Sequence, residues 1–151
     1  MRTLSELERM NTEFLNKRDI QYSLICLTKN ILRHGIFDAK VALRNLMKEM
    51  FVHDYSSQLP GNKISKPTHI LTFEKDIKTS SSMYKAGTRG DERMWFGREI
   101  YKVARPDDLF AVIPKDGIIY VLPITHLDLE YCCSTSINNP IKRFFTETVV
   151  T

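Results

Sequence analysis

The stretch "DDLFAVIPKDGIIYVLPI", residues 107 to 124, constrains the fold more than any other part of the chain. Two runs of bulky, β-branched and aromatic residues flank Pro114-Lys115-Asp116-Gly117. An Asp-Gly pair between two such runs is a strong short-range signal for a β-hairpin. Both runs are apolar at nearly every position, whereas a strand with one wet face alternates. Both faces of this hairpin therefore need covering, and helices must supply the cover.

The first third of the chain offers them. "LSELERMNTEFLNK" reads as a polar amphipathic helix with Leu4, Leu7, Met10, Phe14 and Leu15 near one stripe, and residues 1–18 read as a polar helical N-terminal extension. "IQYSLICLTKNILRHG" is more apolar and reads as a second helix, with Gly35 placed to cap its C-terminus. "FDAKVALRNLMKEMF" is rich in helix formers, and Phe37, Val41, Leu43, Leu46, Met47 and Met50 are available for a buried face. "SSQLPGNKISKPT" carries loop signals, "HILTF" begins a strand that runs on into "EKDIK", and "TSSSMYKAGTRGDER" reads as a mobile loop. "MWFGREIYKVA" is a short strand or a turn of helix. The expected fold class is α+β: N-terminal helices packed on a small mixed or antiparallel sheet with a C-terminal hairpin. At 151 residues, with no repeat or linker, one domain covering residues 1–151 is expected.

Other classes are excluded by the same reading. The longest apolar runs are too short to span a bilayer, and "MRTLSELERMN" lacks the apolar core of a secretory signal. Cys26, Cys132 and Cys133 form no even disulfide framework and no C-x-x-C pair, which implies a reduced, cytoplasmic protein without structural zinc. His34, His53, His69 and His126 have no zinc-ligand spacing. "GTRGDE" lacks the glycine-lysine signature of a phosphate loop.

The charge is uneven. Residues 78–105 hold seven basic and three acidic side chains, while the other 123 residues hold 15 of each. The whole net charge of +4 therefore resides in that one segment. A local excess of this kind suits a polyanion, because neutralising phosphates releases counterions. Lys85, Arg89, Arg93 and Arg98 are the candidate nucleic-acid contacts. Trp95 and Phe96 lie among them and read as core residues, with stacking on a base as the alternative.

Asp76-Ile77-Lys78 carries the candidate chemistry. If residues 73–78 form one strand, Glu74, Asp76 and Lys78 share a face. Carboxylates can hold a hard divalent cation, and a lysine beside them can stabilise charge that develops on a phosphate. The wet side of an ordinary amphipathic strand is the other reading.

The order "GIFDAKVALRNLM", then "THILTFEKDIKTSS", a basic glycine-containing segment, and "DDLFAVIPKDGIIYVLPI" resembles the PD-(D/E)xK nuclease superfamily over residues 33 to 125. It is most similar to small group I intron-associated homing endonucleases and their Holliday-junction-resolvase relatives. The resemblance implies an acidic residue near a helix start at Asp38 and a D-x-K-T strand at Asp76 to Thr79. The family's aspartate on the preceding strand is replaced here, in "KPTHIL", by His69. The nearest upstream acid is Asp54, 22 residues before Asp76. The implied function is a Mg²⁺-dependent DNA endonuclease: Asp54 and Asp76 bind the metal, Lys78 stabilises charge or orients water, and Asp38 is an accessory acid. Cutting both strands with one site per chain implies a homodimer or larger symmetric oligomer. The alternative is a non-enzymatic phage or mobile-element protein that binds nucleic acid or inhibits a nucleic-acid-processing host complex, with the polar N-terminal helix as its docking surface.

Overall fold

The computed structural model describes residues 2–87 and 90–149, the side chains of 148 and 149 excepted. Among these residues seven strands form one sheet: β1 (Ser23–Leu27), β2 (Ile36–Asp38), β3 (Lys63–Leu71), β4 (Asp76–Lys85), β5 (Glu92–Phe96), β6 (Asp108–Lys115) and β7 (Ile118–Pro123). The spatial order is β1-β6-β7-β3-β4-β5-β2. Only β3 and β7 run parallel, so the sheet is mixed. Five helices accompany it: α1 (Glu6–Lys17), α2 (Lys29–His34), α3 (Val41–Glu49), α4 (Leu129–Ser134) and α5 (Pro140–Val149). The fold is α+β, as the sequence implies.

The hairpin forms where expected. Lys115 pairs with Ile118, and the two residues between them, Asp116 (φ 53°) and Gly117 (φ 79°), are both left-handed. A two-residue turn of this handedness matches the twist of the strands it joins, and glycine reaches it without strain.

Two cores lie on opposite faces of the sheet. One collects Leu43 and Met47 from α3, Phe37, Ile70, Met83, Met94, Phe96, Phe110 and Val121 from strands across the sheet, and Tyr55 from a 3-10 turn at Tyr55–Ser57. The other collects Phe14 and Leu15 from α1, Leu129 from α4, and Ile141 and Phe145 from α5, against Leu109, Ala111 and Leu122 of the hairpin. That second core takes only Leu71 from β3 and nothing from β4, β5 or β2. Helices therefore cover both faces of the hairpin but only one face of the β3-β4-β5-β2 half.

Four local expectations are corrected. "IQYSLICLTKNILRHG" divides into β1 and α2: "SLICL" pairs along its length with β6, and Thr28 then caps α2. Gly35 does end the helix, at φ 77°. Residues 69–78 are not one strand, because Thr72–Lys75 turns the chain back through Thr72 N–H to Lys75 O (2.9 Å) and Lys75 N–H to Thr72 Oγ1 (3.0 Å). β3 begins at Lys63, inside the expected loop; Pro67 is tolerated because β7 pairs only with Thr68 to Ile70, so the missing N–H faces no partner strand. Thr79 to Lys85, expected to be mobile, is the body of β4, paired with β3 as far as Tyr84 and with β5 from Ser81 on.

The N-terminal helix is built into the fold. Its Ser5–Glu8 capping box is complete. Asn11 donates to Ile124 O and Leu127 O and accepts from Leu129 N–H. The carboxylate of Glu8 is fully buried, bonded by Arg2 and by the Thr125 hydroxyl. Among the described residues no helix is long and apolar enough to cross a membrane.

Candidate nucleic-acid interface

Directly opposed residues on neighbouring strands project to the same side of a sheet, about 4.5–5.5 Å apart. The uncovered face can therefore be read row by row. Asp76 stands beside Leu71, then Lys78 beside His69 and Tyr120, then Ser80 beside Pro67. Beyond these lie the row Ile36, Trp95, Ser82, Ser65 and the row Asp38, Arg93, Tyr84, Lys63. From Lys78 to Tyr84 the stripe runs six residues along β4, roughly 20 Å.

One end of the stripe is a cluster of reactive groups. His69 Nδ1 lies 2.7 Å from Asp76 Oδ1. The carboxylate can only accept, so Nδ1 carries the proton, and in the neutral imidazole Nε2 then presents a lone pair. The His69 ring packs on Tyr120 with centroids 5.5 Å apart, and Tyr120 packs on Phe144. Burial pushes the Tyr120 phenol up, with the Asp76 charge adding to it, so the hydroxyl stays a donor. Lys78, exposed, forms no ion pair with any described residue.

The other end is aromatic and cationic. Alternation along β5 sends Phe96 into the core and leaves Trp95 half-buried on the open face. Lys63 Nζ sits 5.5 Å from the centre of the Tyr84 ring. Arg93 lies between Asp38 and Asp91, at 3.8 and 3.9 Å. Ser65 and Ser82 share a hydrogen bond at 3.2 Å between the two ends.

The expected residues are only partly brought together. Asp76 and Lys78 share the open face. Glu74 lies in the Thr72–Lys75 turn and not on the strand. Asp38 is on edge strand β2 opposite Arg93, eight residues of strand away from the level of Asp76. Lys85 pairs with Glu92 and projects to the other face, and Arg98 is exposed just beyond β5. Arg89 lies outside the described residues.

The clearest correction concerns Asp54. It caps the Tyr55–Ser57 turn, accepting from Ser56 N–H (3.0 Å) and Ser56 Oγ–H (2.6 Å). Tyr55 is in the α3-side core, and Gln58 anchors the turn to Met83 O. Met83 is seven residues along β4 from Asp76, on the order of 20 Å, and Asp76 faces the other side of the sheet. The two carboxylates cannot share one cation, whose oxygen ligands lie at about 2–2.6 Å. Nor do the described residues include any other group of three His, Cys, Asp or Glu side chains able to hold a metal ion. Asp54 and Asp76 therefore do not make the expected Mg²⁺ site together.

A groove of about 560 Å³ opens elsewhere, at the end of β7, lined by Glu74, Arg105, His126, Asp128 and Tyr131 among others. Two of its lining residues help to hold the chain: buried Asp108, behind it, accepts from His126 (3.1 Å) and from Arg105 N–H (2.9 Å), which closes the turn into β6. Burial pushes the Cys132 thiol in its wall up to about 11, so it offers no ready nucleophile.

No protein-family model, curated protein or solved structure matches the chain.

Proposed function

We propose that this protein binds single-stranded nucleic acid along the open face of β3, β4 and β5. The observation that carries this reading is the placing of Trp95 and Tyr84 beside Lys63 and Arg93, with Lys78 farther along the same strand, on a sheet face that no helix of the described residues covers. Flat aromatic groups accept unstacked bases, and nearby cations follow the phosphates. A duplex hides its base faces and gains little from such a platform.

The metal-dependent endonuclease reading retains Asp76 and Lys78 but lacks its second carboxylate. At the place where the resembled family carries an aspartate, His69 occupies the site and engages Asp76 itself. A symmetric dimer, needed to cut both strands of a duplex, has no part in single-strand binding.

Trp95 is the sole tryptophan, so its emission reports directly on the platform. A single-stranded oligonucleotide of about ten residues should quench it, more effectively than the matching duplex. Tyr84→Ala should weaken binding by roughly 1–3 kcal/mol, about five- to 150-fold. Unchanged emission at low salt, with oligonucleotide in large excess, would overturn the proposal.

A further inference from the structure

We infer that the His69–Asp76–Lys78 cluster is a metal-independent site for cleaving RNA, an inference that rests on the binding reading above. Four observations point to it. The imidazole Nδ1 is fixed by Asp76 at 2.7 Å. Its Nε2 forms no hydrogen bond with any described residue, although the side chain is 20% exposed. Lys78, directly opposite on β4, is exposed and forms no ion pair with any described residue. The cluster also shares a face with Tyr84 and Trp95, so a strand stacked on the rings has its backbone led past the imidazole.

These groups suit a ribose better than a deoxyribose. Hydrolysing a DNA phosphodiester needs an outside nucleophile, a water that must be bound, oriented and activated. RNA carries its own nucleophile next to the phosphorus. Nε2 of His69 removes the 2′-hydroxyl proton, and the 2′-oxygen forms a bond to phosphorus. The bond from phosphorus to the 5′-oxygen breaks, and that oxygen takes a proton from the Lys78 ammonium. His69 then releases its proton to solvent and Lys78 regains one, so the protein returns to its starting state. The products are a 2′,3′-cyclic phosphate and a 5′-hydroxyl. His69 and Lys78 are the catalytic residues. Asp76 is a positioning residue that fixes the tautomer.

The test uses the full chain, an end-labelled single-stranded RNA of about twelve residues, its DNA counterpart, and EDTA throughout. Cleavage of RNA to cyclic-phosphate ends is expected, with the DNA bound but intact. His69→Ala and Lys78→Ala, purified in parallel, should lower the rate, the former by about a hundredfold or more, with Trp95 quenching retained in His69→Ala. Asp76→Asn should lower kcat with KM little changed, and Asp76→Glu should restore part of it. RNA that quenches Trp95 yet stays intact would overturn this inference and leave the binding reading standing. Absence of quenching would overturn both. Equal cleavage by wild type, His69→Ala and Lys78→Ala would also overturn it, since the activity would then belong to something other than this site.

Discussion

Arg93 and Asp38 stand directly opposite each other on β5 and β2, with Nε and Oδ1 3.8 Å apart. Asp91 approaches the same guanidinium at 3.9 Å. Both carboxylates compete with any phosphate for Arg93. Asp38→Asn should therefore tighten oligonucleotide binding by about two- to fivefold at low salt, an effect that fades as salt rises. A catalytic Asp38 would give the opposite, a loss of activity without tighter binding. Titrations of Trp95 emission at two salt concentrations separate the cases.

Asp54 has a local duty, the capping of its own turn. Asp54→Ala should lower the melting temperature by about 2–4 °C through loss of that cap. Oligonucleotide affinity and any RNA cleavage should stay at wild-type values. A large loss of either function would show that Asp54 reaches the open face after all.

Gly97 follows β5 with no room beside it. A Cβ there would meet Thr79 Oγ1 at 2.0 Å and Ser80 O at 3.3 Å. Thr79 Oγ–H also donates to Glu99 at 2.6 Å, so its hydroxyl is not free to swing away. Gly97→Ala should destabilise by roughly 1–3 kcal/mol through overpacking, read as a lower urea midpoint with an unchanged slope. A midpoint equal to wild type would mean that this corner yields readily.

Glu8 links stability to pH. Burial alone would raise its proton affinity, but hydrogen bonds from Arg2, Ser5 N–H and the Thr125 hydroxyl outweigh it and hold the carboxyl down to about 2, against an ordinary 4.5. A depressed carboxyl contributes stability above its unfolded value and loses it as pH falls toward its folded one. The contribution is therefore complete above about pH 4.5 and is lost between there and about pH 2. Urea midpoints measured across that range should fall steeply for wild type and less steeply for Glu8→Gln. At neutral pH the variant should be about 1–3 kcal/mol less stable.

The sequence by itself determined the elements whose signals are local. The β6–β7 hairpin needed only two apolar runs and an Asp-Gly turn. Gly35 ended a helix because few other residues reach its left-handed backbone, and the apolar spacing of α1 and α3 sufficed to predict helices there. "SLICL" carried no such signal, since a short apolar run fits a strand or a buried helix equally, and its pairing with β6 decided the matter. The Thr72–Lys75 turn contains neither glycine nor proline, so nothing in the composition announced that "HILTF" and "DIKT" belong to two strands. The site divides in the same way. Asp76 and Lys78 were legible because residues two apart on a strand point together. His69 entered only as a departure from a pattern, and Asp54 was admitted on chain order. Which of them meets Asp76 depends on cross-strand register and on which face of the sheet the helices leave bare. Both are set by contacts between residues far apart in the chain, and only the tertiary structure fixes those.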